Sequence, residues 1–350
     1  MGAVRTGRGA RMRAVRIAGV VAGALALVAG CASGGSGGAG RPGASGGAGD
    51  MSAQARGYLS EALDLLQRES LGTATVDWPK LRDEAFARAA GARTTADTHG
   101  AVGGVVAALG DGHSRFYPPG EAAAVDADPA TVDAPTVDRL PGGIARLTLP
   151  AVNGSERTYA EYVARGRAAV AGVSACGWVV DLRRESGGGM WAPLTVAAPL
   201  LGDGPVGAFV TADGTRSVWS VHGGVPFLDG TPQAQPPGAG GDPGRSVPVA
   251  VLTGPGTGSA GEAVAIAFIG RPDTRSFGAR TYGVPTGNAA HRLSDGAVVL
   301  LTGAAEADRT GRIHTGPIEP DEAVDTRKEG DPSLTAATGW LGRQESCRRT

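Results

Sequence analysis

Pro248-Val249-Ala250-Val251-Leu252-Thr253-Gly254-Pro255-Gly256-Thr257-Gly258-Ser259-Ala260-Gly261-Glu262 is the stretch whose reading decides the fold. Residues 247–253 form a short unbroken apolar run that ends in proline and glycine, the pattern of a strand buried on both faces. Residues 260–269 are apolar at helical length and read as a buried helix. A strand that feeds a helix through a glycine-rich turn is the repeating unit of an α/β core. Working outward, the alternation continues. Residues 144–149 read as a strand, 159–171 as a helix, 177–182 as a buried strand and 191–200 as a helix. Strands at 206–211 and 216–221 form an expected hairpin, followed by a Pro/Gly-rich loop around 229–246. The fold class is α/β, with helices packed on a sheet.

The N-terminal third has a different character. Tyr58, Leu59, Ala62, Leu63, Leu65 and Leu66 recur at three- and four-residue spacing, and further helices are expected at 78–90 and 95–109. Residues 51–120 therefore read as a helical subdomain, 121–138 as a connector rich in Ala, Asp and Pro, and 139–345 as the α/β core. Ahead of these lies an export signal at 1–30: Arg5, Arg8, Arg11, Arg13 and Arg16, then an uncharged run shorter than the roughly 20 residues of a spanning helix. It ends in Val28-Ala29-Gly30-Cys31, the pattern of a bacterial lipoprotein signal acylated on Cys31; the alternative is an ordinary signal with a chance cysteine. Residues 31–50, dominated by Gly, Ser and Ala, read as a flexible tether. The expected location is the outer face of the cell membrane, held there by the lipid.

A formal net charge of −1 and the lack of a basic stripe argue against a nucleic-acid partner. The five histidines show no ligand spacing such as His-Glu-x-x-His, so neither a metal nor another cofactor is expected. Cys176 and Cys347 can pair as one disulfide in an oxidising compartment, or remain two thiols.

Three segments carry candidate chemistry. Ser259 stands at the start of a helix, where unpaired amides and the positive end of the helix dipole favour an oxyanion. Ser-x-x-Glu is equally a capping box, with Ser259 as N-cap and Glu262 reaching back. Thr257 in place of glycine departs from the Gly-x-Ser-x-Gly elbow. Gly187-Gly188-Gly189 follows a buried strand and permits close backbone approach to a ligand. His113, in the turn Leu109-Gly110-Asp111-Gly112-His113-Ser114, is a candidate general base.

Taken in order with Asp181-Leu182-Arg183, Thr281-Tyr282-Gly283 and Gly316-Pro317-Ile318-Glu319-Pro320-Asp321, these segments resemble the C-terminal processing (tail-specific) peptidases and their tricorn-like relatives. The resemblance spans most of residues 57–325. It implies a crotonase/ClpP-like α/β peptidase core, a peptide or protein substrate, Ser259 as nucleophile, and an oxyanion hole from Gly187 or Gly188 with Ala260. Val284 stands where the better-known branch has its lysine, and the only lysines are Lys80 and Lys328. The resemblance therefore points to His113 as base, as in the tricorn-like branch, with Glu262 or Glu319 orienting it. The gap from 119 to 139 is too short for an inserted PDZ domain, which needs at least about 50 residues. A peptide-binding or scaffold lipoprotein without catalysis on the same fold is the alternative reading, and the sequence sets no oligomeric state.

Overall fold

The structure is a computed structural model that describes residues 50–125, 127–233, 247–325, 327 and 329–349. The signal, Cys31, most of the tether, Lys328 and most of the Pro/Gly-rich loop lie outside the described residues.

The chain begins with α1 (Ala53–Glu69), α2 (Trp78–Arg88) and α3 (His99–Ala108). Ser52 caps α1 by accepting from the Ala55 amide, and Asp77 caps α2 through the Lys80 amide. The apolar stripes of the three helices merge into one buried cluster with Leu293, Ala297, Val299 and Leu301 from the C-terminal half. A short strand, β1 (Arg115–Tyr117), ends this region, so it is not purely helical. The stretch expected as connector contains most of α4 (Pro119–Val125) and the start of β2 (Thr136–Leu140).

The core follows as β3 (Ile144–Thr148), α5 (Glu156–Ala171), β4 (Gly177–Asp181), α6 (Trp191–Leu201), β5 (Gly204–Thr211), β6 (Arg216–His222), β7 (Val225–Leu228) and β8 (Thr231–Pro232). Then come β9 (Val249–Thr253), α7 (Ala260–Phe268), β10 (Thr274–Gly278), β11 (Thr286–Arg292), β12 (Val298–Asp308), β13 (Ile313–His314), β14 (Glu322–Ala323), α8 (Pro332–Leu341) and α9 (Glu345–Arg348).

Among the described residues the strands form two sheets. The first runs β14-β10-β9-β4-β3-β2, parallel except for the antiparallel edge strand β2. Its central strands β4 and β9 are buried along their whole length, which is why their sequences are apolar without alternation. The second runs β1-β12-β5-β6-β7-β8, with β11 and β13 also on β12. The expected hairpin is there as β5 and β6.

Side-chain alternation sorts the layers. Val249 and Val251 of β9 face α5, α6 and α7, which lie between the sheets with Phe209 and Trp219 of the second sheet. Ala250 and Leu252 face the other way, onto Ala337 and Leu341 of α8. On β12, Val299 and Leu301 face α1 and α3, whereas Ala304 joins the central core. The order is thus α8, first sheet, central helices, second sheet, N-terminal helices. Cys176 and Cys347 are disulfide-bonded with Cα atoms 4.9 Å apart, fastening α9 to the entry of β4.

Candidate active site

The C-terminal ends of β4 and β9 lie side by side, and the loops that leave them are packed backbone to backbone. A Cβ at Gly256 would stand 2.5 Å from the Arg183 carbonyl oxygen, and one at Gly261 would stand 2.2 Å from that of Glu185. The Gly258 amide donates to the Glu185 carbonyl at 3.0 Å. Thr257 is the rivet between them. Its Oγ1 donates to the Leu182 carbonyl at 2.9 Å and accepts from the Gly254 amide at 3.1 Å. A glycine there would lose both bonds, which accounts for the departure from the elbow pattern.

Arg183 braces the same edge from below. Its guanidinium pairs with Asp181 at 2.6 Å and with Asp331, the N-cap of α8, at 2.8 Å. The Asp181 carboxylate, more than any other neighbour, holds its pKa above the usual arginine range.

Ser259 is the N-cap of α7, and Glu262 reaches back to its amide at 3.0 Å, so the capping-box reading holds on the glutamate side. An ordinary cap is extended, as Ser52 is at φ −62°, ψ 154°. Ser259 instead has φ 49°, ψ −112°, a left-handed φ that costs a side-chain-bearing residue on the order of 1–3 kcal/mol. Among the described residues the other non-glycine positions with positive φ are both aspartates, Asp229 and Asp273.

Glu262 is completely buried and also accepts from the amides of Gly283 at 2.9 Å and Val284 at 2.8 Å, and from the Thr281 hydroxyl. Burial raises its pKa, against the pull of these donors. Glu306 of β12 lies behind it, fully buried, and is pushed well above the carboxylate range by burial and then by the charge of Glu262.

The glycine loop leaves β4 just past this packing. Gly187 and Gly188 have φ of 133° and 112°, and a Cβ at Gly188 would fall 2.0 Å from the Val152 carbonyl oxygen. The Gly189 amide donates to that oxygen at 3.0 Å. The amides of Gly188 and Ala260 have no hydrogen bond among the described residues, which leaves them free to bind an oxyanion.

His113 comes from the opposite sheet. Gly110 and Gly112, both at φ 68°, turn the chain, and Asp111 accepts from the amides of His113 at 2.9 Å and Ser114 at 2.7 Å. Pairing of β1 with β12 then carries the turn to the end of β11. There Nδ1 meets Thr286 Oγ1 at 2.7 Å, and Asn288 donates to the His113 carbonyl at 3.2 Å. The Thr286 amide donates to Val284, whose own amide binds the Glu262 oxygen that also takes the Ser259 amide. His113 thus stands at the edge of the serine site. Among the described residues no hydrogen bond joins it to Ser259, and its buried Nε2 has no partner. Burial pushes the imidazole down to about 4, so it is neutral at pH 7.

Neither expected carboxylate touches the imidazole. The oxygens of Glu262 are taken by the donors named above, and Glu319 is exposed on the loop after β13. The ring neighbour is Thr286, a strand threonine that carries no distinguishing sequence signal. Glu306, within the apolar run of β12, carries no such signal either; Thr281 belongs to the Thr281-Tyr282-Gly283 segment, to which the sequence assigns no individual role. Val284 stands at the site, where its amide rather than its side chain is used. Lys80 lies on the surface of α2, 4.0 Å from Glu84.

Comparison with known proteins agrees with this geometry. A curated relative, the "Nisin-resistance protein" of Lactococcus lactis subsp. lactis, is 26% identical over 206 residues, which is 59% of this chain. The aligned region spans 62% of that relative's length. A solved lipoprotein from Streptococcus agalactiae superposes with a TM-score of 0.67 at 21% identity, covering 83% of this chain and 97% of that one. The photosystem II D1 C-terminal processing protease superposes at 0.59 with 18% identity, covering 84% and 98%. The profile of Peptidase family S41 matches residues 143–324, from the first core strand through β14 and including both the glycine loop and Ser259. This chain belongs to Peptidase family S41.

Proposed function

We propose that the protein is an exported, lipid-anchored peptidase that hydrolyses peptide bonds through an acyl-enzyme on Ser259. His113 removes the Ser259 proton as the hydroxyl attacks the substrate carbonyl. The amides of Gly188 and Ala260 take up the oxyanion, and His113 returns the proton to the leaving amine. Thr286, rather than a carboxylate, orients the imidazole. The observation that carries this reading is the left-handed Ser259 backbone at the head of α7, followed by an Ala260 amide that is unpaired among the described residues. A serine that merely capped the helix would have no reason to hold that conformation.

The Nε2 atom of His113, buried without a partner among the described residues, favours a second reading in which the fold binds peptides without cleaving them. Catalytic hydrogen bonds often close only when substrate is bound, so the open pair fits the peptidase as well. The lipid anchor rests on the sequence around Cys31 and on the likeness to a lipoprotein. The name of the Lactococcus relative makes nisin one peptide to test.

Covalent labelling of the soluble body, residues 51–350, with a fluorophosphonate decides between the readings. The expected result is one adduct by intact mass, lost in Ser259→Ala and in His113→Ala. A folded wild type that takes no label overturns the peptidase reading in favour of the binding one.

A further inference from the structure

One buried acid at the heart of the molecule has no part in the chemistry above. Glu185 is 0% exposed and follows Arg184, whose own side chain points outward to Asp133 at 2.9 Å. Its backbone already joins the two working loops, because its carbonyl receives the Gly258 amide at 3.0 Å. Its side chain turns inward to the same place. A Cβ on Gly261, in the first turn of the serine helix, would stand 2.5 Å from Glu185 Oε2. Two residues further on, the Gly187 amide faces the carboxyl, while neither carboxyl oxygen makes a hydrogen bond of good geometry. Gly261 has no side chain to offer, so the carboxyl fills the space between the glycine loop and the first turn of α7.

We propose that the Glu185 side chain is a positioning residue, a strut that sets the separation between the glycine loop at 187–189 and the first turn of α7 and so aligns the Gly188 and Ala260 amides on one oxygen. The inference rests on the peptidase reading above. It assigns Gly187 to the strut and leaves Gly188 as the loop's oxyanion donor.

The strut works as a neutral acid. Burial raises the Glu185 carboxyl well above the carboxylate range, and the Gly187 amide opposes this only in part. The titratable neighbour on the facing helix is Tyr162 of α5, which is buried, donates to the Pro150 carbonyl at 2.9 Å, and is itself raised well above its usual range. No cation is paired with Glu185 among the described residues. An ionised carboxylate at this position would be uncompensated and would draw water or neighbouring donors out of place.

The test compares Glu185→Gln, Glu185→Ala and wild type in steady-state peptide hydrolysis from pH 6 to 10, with fluorophosphonate labelling and thermal melting alongside. Removal of one oxyanion donor costs about 10²–10³ in kcat, so Glu185→Ala is expected to lose about that factor in kcat with KM within about threefold of wild type. Glutamine has the shape of the protonated acid, so Glu185→Gln is expected to keep kcat within about tenfold at pH 7. Its alkaline limb should also lie above that of wild type. A folded Glu185→Ala with undiminished kcat overturns the strut. So does a Glu185→Gln as slow as the alanine variant, or one with an alkaline limb unchanged from wild type. If the alanine variant does not fold, the glutamine profile decides. A wild type that takes no fluorophosphonate overturns the peptidase reading and this inference with it. A labelled wild type with an indifferent Glu185→Ala overturns the strut alone.

Discussion

Ser259 and His113 both sit in short glycine-containing turns, yet the two turns are fastened in different ways. The serine turn lies on the edge of a parallel sheet, where β4 and β9 deliver two loops into direct backbone contact. Thr257, Glu262 and the Glu185 carbonyl fix it with bonds at every second or third residue. The histidine turn rests on an antiparallel sheet, and its imidazole is held by one side-chain hydrogen bond, to Thr286. Strain is affordable where many contacts over-determine the backbone. The left-handed Ser259 is accordingly found in the serine turn, whereas the histidine turn, pinned through Asp111, Ser114 and Asn288, leaves Nε2 without a partner among the described residues. On the proposed mechanism the nucleophile and the oxyanion amides are built in advance, and the base would complete its hydrogen bond only with substrate bound.

That contrast can be broken most severely from the serine side. Gly188→Ala places a methyl 2.0 Å from the Val152 carbonyl oxygen at a φ of 112°, so the glycine loop must shift. A fall in kcat of about 10²–10³ is expected, the size of a lost oxyanion donor, together with loss of fluorophosphonate labelling. Retained kcat would mean that the loop amide is not used. Thr286→Val tests the histidine side more gently. It removes the Nδ1 partner while preserving shape, and kcat should fall about tenfold to a hundredfold, as for removal of a group that orients a catalytic ligand. The melting temperature should move by only a few degrees, the equivalent of about one hydrogen bond. A loss of activity matched by unfolding would show that Thr286 supports the fold and not the imidazole.

The smallest effect sharpens the comparison through pH. A base depressed to about 4 by burial remains neutral well into the acid range, so kcat/KM should fall with a midpoint near 4. A free histidine would give a midpoint near ~6.5. The sign for stability follows. Between these values the unfolded chain binds the proton and the native His113 does not, so this residue's contribution is present above pH ~6.5 and is lost as pH falls toward 4. A pH–rate profile with its acid limb near neutrality would show that the imidazole is solvated in the working enzyme.

The same asymmetry decides what can be read from sequence. The strand–turn–helix around Ser259, the glycine run after β4 and the β5–β6 hairpin are local, and their composition states their geometry. Expected helices and strands from 144 to 269 fall within a few residues of the observed bounds. Beyond Gly270 the reading was thin. There β12 is the strand that organises the second sheet, with partners β1, β5, β11 and β13 drawn from distant parts of the chain. An apolar run says that a strand is buried and not which strands will find it. The hydrogen-bond partner of the imidazole is illegible in the sequence for a related reason. The family resemblance points to Glu262 or Glu319, but Glu262 is held by donors within its own half of the site and Glu319 faces solvent. Thr286 lies 173 residues from His113, and the two meet because β1 and β11 both pair with β12.

The Cys176–Cys347 bond closes a covalent ring across a separation of 171 residues. The glycine loop, Ser259, Glu262 and Thr286 all lie within the ring, while His113 lies outside it. Closing a loop of this length removes unfolded-state entropy worth about 5 kcal/mol on the chain-entropy model, a large fraction of the total stability of a typical domain. Thioredoxin- or glutathione-rich surroundings would withhold that contribution. On the exported-peptidase reading proposed above, the chain would gain this contribution only after leaving the reducing compartment.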